Sequence, residues 1–329
     1  MKHLFIALAV FATFTSSACL DLPNSFDARK KWGSSCPVLH DIKTQEHCGS
    51  CAFLSIAQVV SDRHCIATGS SIPFSAQWLM SCVDYEKEPD WVPCNGIPGN
   101  MVFDAVVEHG MVPETCLPYS SDDWVTPACP ATCNDGTAFN KRTYTIKEYG
   151  IIDSASDDIV TAIQEEIFLR GPLFVAIDVY SDFNDYATGV YTCNQHSDEE
   201  PGAHAVRIVG WGVEDGIPYW LCTNTWGREW GSDGAFKIRR GVNECGIEGG
   251  FSAFPIFDRS GWALARMWAG KLVSGVSFLI AGLQFCSDVL SVKPLAAVSL
   301  RSRRKDLCES KEKSEYAGRG HRAIDLKMD

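Results

Sequence analysis

The chain has 329 residues, 46% of them hydrophobic, with fifteen cysteines and a formal net charge of −12 at pH 7. That length suffices for one large two-lobed domain or two ordinary ones, with ample material for a core. The acidic balance argues against nucleic acid as a partner, since phosphate binding needs a basic surface. The acidity is concentrated as well, because residues from Arg259 onward carry thirteen Lys and Arg against seven Asp and Glu, which leaves −18 for residues 1–258.

Met1–Ala18 reads as a secretory signal: Lys2 and His3, an apolar run from Leu4 to Phe14, then small Ser16 and Ala18 at cleavage positions. The apolar run is too short to span a bilayer. Cysteine usage behind such a signal implies an oxidising compartment and a disulfide framework, and an odd total leaves at least one cysteine unpaired.

The stretch Gln45-Glu46-His47-Cys48-Gly49-Ser50-Cys51 runs into Phe53, Ile56, Ala57 and Val60 at helical spacing, with Gly69 to end the helix. Cys51 is then at the first turn, where the helix dipole and unpaired N–H groups favour thiolate. Gln45 stands where its amide can donate to a developing oxyanion beside that sulfur. The spacing of Cys48 and Cys51 also fits a disulfide, redox or metal-ligand pair.

Further on, Ser75 is set to cap a short helix through Trp78 and Leu79, and Asn100 to cap Met101–His109 before Gly110. Ser154 or Ser156 is placed to cap a helix bearing Ile159, Ile163 and Ile167, ended by Gly171-Pro172. The pattern then turns to strands at Leu173–Val179, Ala205–Gly210, Tyr219–Thr223 and Phe236–Arg239. Helices followed by strands are α+β in class. Of eight histidines, His204 alone opens a strand after a Gly-rich turn, and Asn224 follows in Asn224-Thr225-Trp226-Gly227-Arg228-Glu229-Trp230-Gly231.

Cys-Gly-Ser-Cys preceded by Gln45, with His204 and Asn224 downstream, resembles the papain-like cysteine proteases. Leu22–Arg29 and Val60–Ile66 are similar to the cathepsin B-like branch, and the likeness runs from about Leu22 to Ile256. It implies a helical lobe at about 30–134 and an antiparallel, barrel-like β lobe at about 135–258, meeting in a cleft. It also implies Cys51 as nucleophile, His204 as base, Asn224 orienting His204, and Gln45 in the oxyanion hole. Gly96, Ile97, Ala203, Trp226 and Gly250 fall at substrate-contacting positions, and the bridges Cys36–Cys65, Cys48–Cys94, Cys82–Cys129 and Cys116–Cys133 are implied. Acyl transfer of this kind needs no metal and no organic cofactor. Peptide and protein substrates follow, with cystatin-like inhibitors as further partners and a secreted or lysosome-like location.

The chain departs from that pattern at several points. Ala52 replaces the usual Trp after the nucleophile. Only Cys19–Leu22 lies between the signal and the mature-like start, which leaves no room for a pro-segment. The twelve residues Leu117–Ala128 contain no His or Cys where the family carries an occluding loop, so an endopeptidase is expected. Gly250 takes the place of an acid at the base of the S2 pocket, so an apolar P2 residue is expected. Ile97 takes the place of a glycine. These departures keep open a second reading, a catalytically impaired protease-like module that binds peptides or proteins. The tail, 259–329, reads as an amphipathic or disordered extension; its apolar run Leu272–Cys286 falls short of the ~20 residues that a membrane span requires.

Overall fold

The computed structural model describes residues 20–85, 92–193 and 200–257. The expectations for the signal at 1–18 and for the tail at 259–329 lie outside the described residues. The described residues from Leu22 to Phe257 belong to one compact unit.

Strand β1 (Phe26–Asp27) and helix α1 (Ala28–Trp32) open that unit. Helix α2 (Cys51–Thr68) follows, and Gly69 ends it in a left-handed conformation (φ 79°) with its N–H on the Cys65 carbonyl. The spacing of apolar residues predicts a single buried face for this helix, yet every residue from Ala52 to Cys65 is buried. Its polar positions each find a partner elsewhere in the fold. The Ser55 hydroxyl donates to the Ala205 carbonyl at 3.0 Å, Gln58 donates to the Asp41 carbonyl at 2.8 Å, and Ser61 accepts from the Phe74 N–H at 2.9 Å.

Helix α3 (Ala76–Ser81) is capped by Ser75 Oγ, which accepts from the Trp78 N–H at 2.9 Å. Two caps differ from expectation. Helix α4 (Gly99–His109) starts behind Pro98 rather than at Asn100. A β-carbon on Gly99 would stand 2.6 Å from the Phe174 ring, so the helix enters where only glycine lets the sheet come close. Helix α5 (Ile159–Arg170) has Asp158, not Ser154 or Ser156, at its N-cap. Ser156 Oγ is spent one turn early, accepting from the Asp158 N–H at 3.4 Å.

The strands are β2 (Glu148–Ile151), β3 (Leu173–Val179), β4 (Val190–Tyr191), β5 (Gly202–Glu214), β6 (Ile217–Thr223), β7 (Ala235–Arg239) and β8 (Ser252–Ile256). They hydrogen-bond in the order β2-β8-β3-β5-β6-β7-β4, with β1 paired to β5. All pairings are antiparallel except β4 with β7. The class is α+β, but the sheet is open at both ends rather than a closed barrel: nothing pairs β2 with β4 among the described strands. Strand β5 also begins at Gly202, two residues before His204, so the histidine lies within a paired strand opposite Ile177.

Two cores lie on either side of the β3–β5 seam. One gathers Phe53, Ile56, Val60, Leu79, Phe103 and Val106 from the helices, together with Phe174 and Ala205 from the sheet. The other gathers Leu173, Val206, Ile208, Trp211, Trp220, Phe236 and Ile238. Arg207, fully buried on β5, ties them: it donates to Asp62 of α2 at 2.7 Å, to the Thr223 hydroxyl at 2.9 Å and to the Asp41 carbonyl at 3.0 Å. One residue along α2, Arg63 pairs with Glu166 of α5 at 2.8 Å and donates to the Gly171 and Pro172 carbonyls.

Candidate active site

Cys51 is the first residue of α2, half-buried and unpaired, while Cys48 is bridged to Cys94. A redox pair between Cys48 and Cys51 is therefore absent. Helix α2 points its start at β5, and the Cys51 sulfur accepts from the backbone N–H of Ala205, the neighbour of His204. Two long-range elements thus bring residues 51 and 204 together.

His204 is 6% exposed. Its Nε2 lies 2.7 Å from Asn224 Oδ1, which also accepts from the Thr225 N–H at 2.8 Å. An amide oxygen only accepts, so the imidazole carries its proton on Nε2 and keeps Nδ1 as the basic nitrogen. The Trp226 ring lies 5.0 Å from the imidazole at 37°, and Phe183 lies beyond it at 6.4 Å. These rings exclude water from the His204–Asn224 bond.

Gln45 is fixed from both sides. Its Oε1 accepts from the Thr225 hydroxyl at 2.7 Å and from the Trp226 indole at 3.1 Å, and its Nε2 donates to the Cys48 carbonyl at 3.0 Å. That nitrogen carries two protons, so one remains to donate. Tyr119 is a participant that the sequence did not single out: its hydroxyl donates to the Gln45 carbonyl at 3.0 Å and meets the Ser50 hydroxyl at 2.6 Å. Only a residue-by-residue contact across the fold exposes it.

The electrostatics differ from the sequence expectation for Cys51. Burial pushes its thiol above the ordinary range, and the N–H groups of Ala205, Ala52 and Cys51 itself offset only part of that. Burial likewise drives His204 from 6.5 down to about 4, against the Asn224 hydrogen bond, which favours the charged ring. The dipole and N–H contacts that favour thiolate are present, and desolvation outweighs them.

Around this centre, Gly96 (φ 87°) and half-buried Ile97 lie beside the Cys48–Cys94 bridge, where the Gly49 N–H donates to the Cys94 carbonyl at 2.8 Å. Ala203 is exposed on β5, opposite Asp178. At Gly250 a β-carbon would stand 2.8 Å from the Ala176 carbonyl oxygen and 3.0 Å from that of Gly246. The chain is thus packed too closely against β3 to carry any side chain there without a backbone shift. The nearby Glu248 is fully engaged, accepting from the Trp220 indole and the N–H groups of Gly241 and Asn243. Ala52 is buried in the helical core, and Phe53 is buried beside it with its ring edge-on to Tyr85 at 6.1 Å.

Disulfides join Cys36 to Cys65, Cys48 to Cys94, Cys82 to Cys129 and Cys116 to Cys133; a fifth, Cys193–Cys245, was not foreseen. Among the described residues, Cys51 and the fully buried Cys222 are the free cysteines. Two surface hollows lie elsewhere, one against Arg63, Ile66 and Phe254 and one against Phe26, Lys31 and Trp211.

A helix-borne thiol, a strand-borne histidine and a buried asparagine are thus held on a helical half and an open sheet of α+β class, and the comparisons with known proteins make the class that of a cysteine peptidase. Residues 22–254 match the Papain family cysteine protease description. Cathepsin B-like cysteine proteinase 6 of Caenorhabditis elegans is 35% identical over 266 residues, covering 72% of this chain and 67% of its own. Cathepsin B-like cysteine proteinase 5 of the same organism is 36% identical over 269 residues, 73% and 75% of the two chains. Among solved structures, proCathepsin B S9 from Trypanosoma congolense superimposes with a TM-score of 0.62 at 34% identity, over 72% of this chain and 79% of that one. Procathepsin L 3 of Tenebrio molitor larval midgut shares the fold, with a TM-score of 0.59 at 24% identity over 74% and 72%. The chain belongs to the papain family of cysteine proteases, with its likeness in the cathepsin B-like branch.

Proposed function

We propose that this cysteine peptidase is an endopeptidase in which Cys51 attacks the scissile carbonyl and His204 carries the proton. The observation that carries this reading is the buried His204 Nε2–Asn224 Oδ1 contact of 2.7 Å, with the Ala205 N–H on the Cys51 sulfur. Neither group is charged by its own surroundings, so proton transfer from thiol to imidazole draws on their mutual attraction. Two unit charges about 4 Å apart at an effective dielectric of about 20 attract by about 4 kcal/mol, which offsets part of the burial cost that the two groups carry.

Thiolate attack forms a tetrahedral adduct whose oxyanion is held by the Cys51 N–H and the free proton of Gln45 Nε2. The His204 imidazolium then protonates the leaving amine, giving a thioester and the first product. Water, deprotonated by His204, hydrolyses the thioester and regenerates the thiol. Asn224 acts through His204 as a positioning residue. The chemistry is complete with protein groups alone.

The acyl side of the cleft is assigned to Gly96, Ile97, Ala203 and Gly250, with an apolar P2 preference because no carboxylate stands at residue 250. A leaving-group side without paired histidines supports endopeptidase action. Residues 1–18 direct secretion, residues 19–258 form the protease domain, and five disulfides accord with a secretory or lysosome-like compartment. The test is labelling by a peptidyl epoxide at neutral pH. Rapid modification of Cys51, lost in His204→Ala, is expected. A Cys51 that reacts no faster than a free thiol overturns the reading in favour of the impaired peptide-binding module.

A further inference from the structure

We infer that the turn Asp122–Val125 forms a subsite for a basic residue on the leaving-group side of the scissile bond, with Trp124 as its platform and Asp123 and Glu46 as its acids. The inference rests on the peptidase reading above and names a substrate feature for that same site. Trp124 is 63% exposed, the most exposed large apolar side chain among the described residues, and Val125 beside it is 61% exposed. Adjacent in the chain, the two present a joint exposed apolar surface rather than a lone side chain.

The turn is clamped to the strip that leads into the nucleophile. The Trp124 N–H donates to the His47 carbonyl at 2.8 Å, the His47 N–H donates to Asp122 Oδ1 at 3.2 Å, and Asp122 also takes the His47 ring nitrogen at 3.2 Å. At its base Tyr119 reaches the Gln45 carbonyl and the Ser50 hydroxyl, one residue from Cys51. Tyr119 thus links the base of the turn to the residues on either side of Cys48, next to the nucleophile. Ser81 Oγ donates to the Pro127 carbonyl at 2.6 Å, and Cys82–Cys129 holds the far end. Trp124 is therefore displayed on a fixed mount.

The side of the cleft follows from what flanks that same strip. Thr44 bridges to Trp226, and the Gln45 N–H donates to the Thr225 carbonyl at 2.8 Å, so the Trp226 loop, whose indole packs on His204, meets the strip at Thr44–Gln45 and the Trp124 turn meets it at His47. His204 protonates the leaving amine, so the chain beyond that amine runs along this border, away from Gly96 and Gly250. Its residues meet an indole face beside three exposed carboxylates, Glu46, Asp122 and Asp123, against one imidazole, His47. Asp123 is 87% exposed, its carboxylate 3.5 Å from the His47 ring nitrogen, and Glu46 is exposed on a left-handed backbone (φ 48°). An indole face with adjacent acids suits a guanidinium or ammonium group on an apolar stem, arginine above lysine because its plane stacks.

The experiment uses the processed chain and internally quenched peptides that share an acyl side with Leu at P2 and differ only at the second or third residue after the scissile bond. At one of these positions Arg is expected to raise kcat/KM about fivefold over Gln, with Glu below both. Trp124→Ala should remove most of that ratio, Trp124→Phe should retain part of it, and Asp123→Asn should reduce it and flatten its dependence on salt. No preference for Arg at either position, or a preference that Trp124→Ala leaves intact, overturns the subsite. Hydrolysis of a dipeptidyl aminomethylcoumarin, which has no residue beyond the bond, tests the peptidase reading by itself. A chain that cleaves the coumarin yet ignores Arg thus fails in this inference alone.

Discussion

At the scale of single residues, burial of His204 ties stability to pH. The ring titrates near 6.5 in an ordinary setting and at about 4 in the fold. Between those values the unfolded chain binds a proton that the native one refuses, so the His204 contribution is present above pH 6.5 and is lost as pH falls through about 4. A shift of that size is worth about 3 kcal/mol at most. Urea unfolding at pH 7 and pH 4.5 should therefore show a larger acid-induced loss for the wild type than for His204→Asn. Equal losses in the two proteins would mean that the ring is solvated in the fold. Position 250 gives a second, steric prediction: because the added β-carbon meets the Ala176 carbonyl at 2.8 Å, Gly250→Ala should cost about 1–3 kcal/mol of stability and lower kcat/KM. Full activity and an unchanged urea midpoint in that variant would show that β3 yields at no cost. The P2 preference is better read from substrates: matched peptides with Leu, Val or Phe at P2 should be cleaved faster than one with Arg, and a native preference for Arg would remove the pocket assignment.

Among the elements, α2 and β5 matter most, since one carries Cys51 and the other His204. Their joint is the fully buried Asp62–Arg207 pair at 2.7 Å. Removing one partner strands a buried charge, so Asp62→Ala should cost about 3–5 kcal/mol, whereas replacing both by apolar residues should cost much less. A double-mutant cycle in urea tests this, and an additive cycle would show that the pair does not hold the elements. Helix α2 was legible because Gly69 and the apolar spacing mark its body, and β3, β6 and β7 because their runs are bounded by turn residues. Strands β2 and β8 were not: Glu148–Ile151 and Ser252–Ile256 contain Gly150 and Pro255 and acquire strand geometry only by pairing with each other and with β3. The caps at Pro98 and Asp158 went unread for a similar reason, since contacts with Phe174 and Ser156 decide them. Cys51, His204, Asn224 and Gln45 stood out by motif and resemblance, while Tyr119 did not, because its bond to Ser50 spans 69 residues and has no local pattern.

For the molecule as a whole, the covalent framework is lopsided. Four bridges, closing separations of 29, 46, 47 and 17 residues, lie in the helical half, and one, closing 52, lies in the sheet half. Loops of such lengths are each worth roughly 3–4 kcal/mol through the unfolded chain, so the helical four together rival the 5–15 kcal/mol of a typical domain. Reductant should therefore unfold the helical half. What happens to the sheet follows from the seam: α2 is buried on all sides, and its loss would expose Phe174, Ala205 and the Arg207 guanidinium together. An uncovered apolar face and an unpaired charge leave the sheet half no stable state of its own. We expect one transition as dithiothreitol is raised, in which fluorescence of the sheet tryptophans, Trp211, Trp220 and Trp230, changes together with the loss of epoxide labelling at Cys51. Tryptophan signals that persist after labelling has gone would show the two halves to be independent folding units.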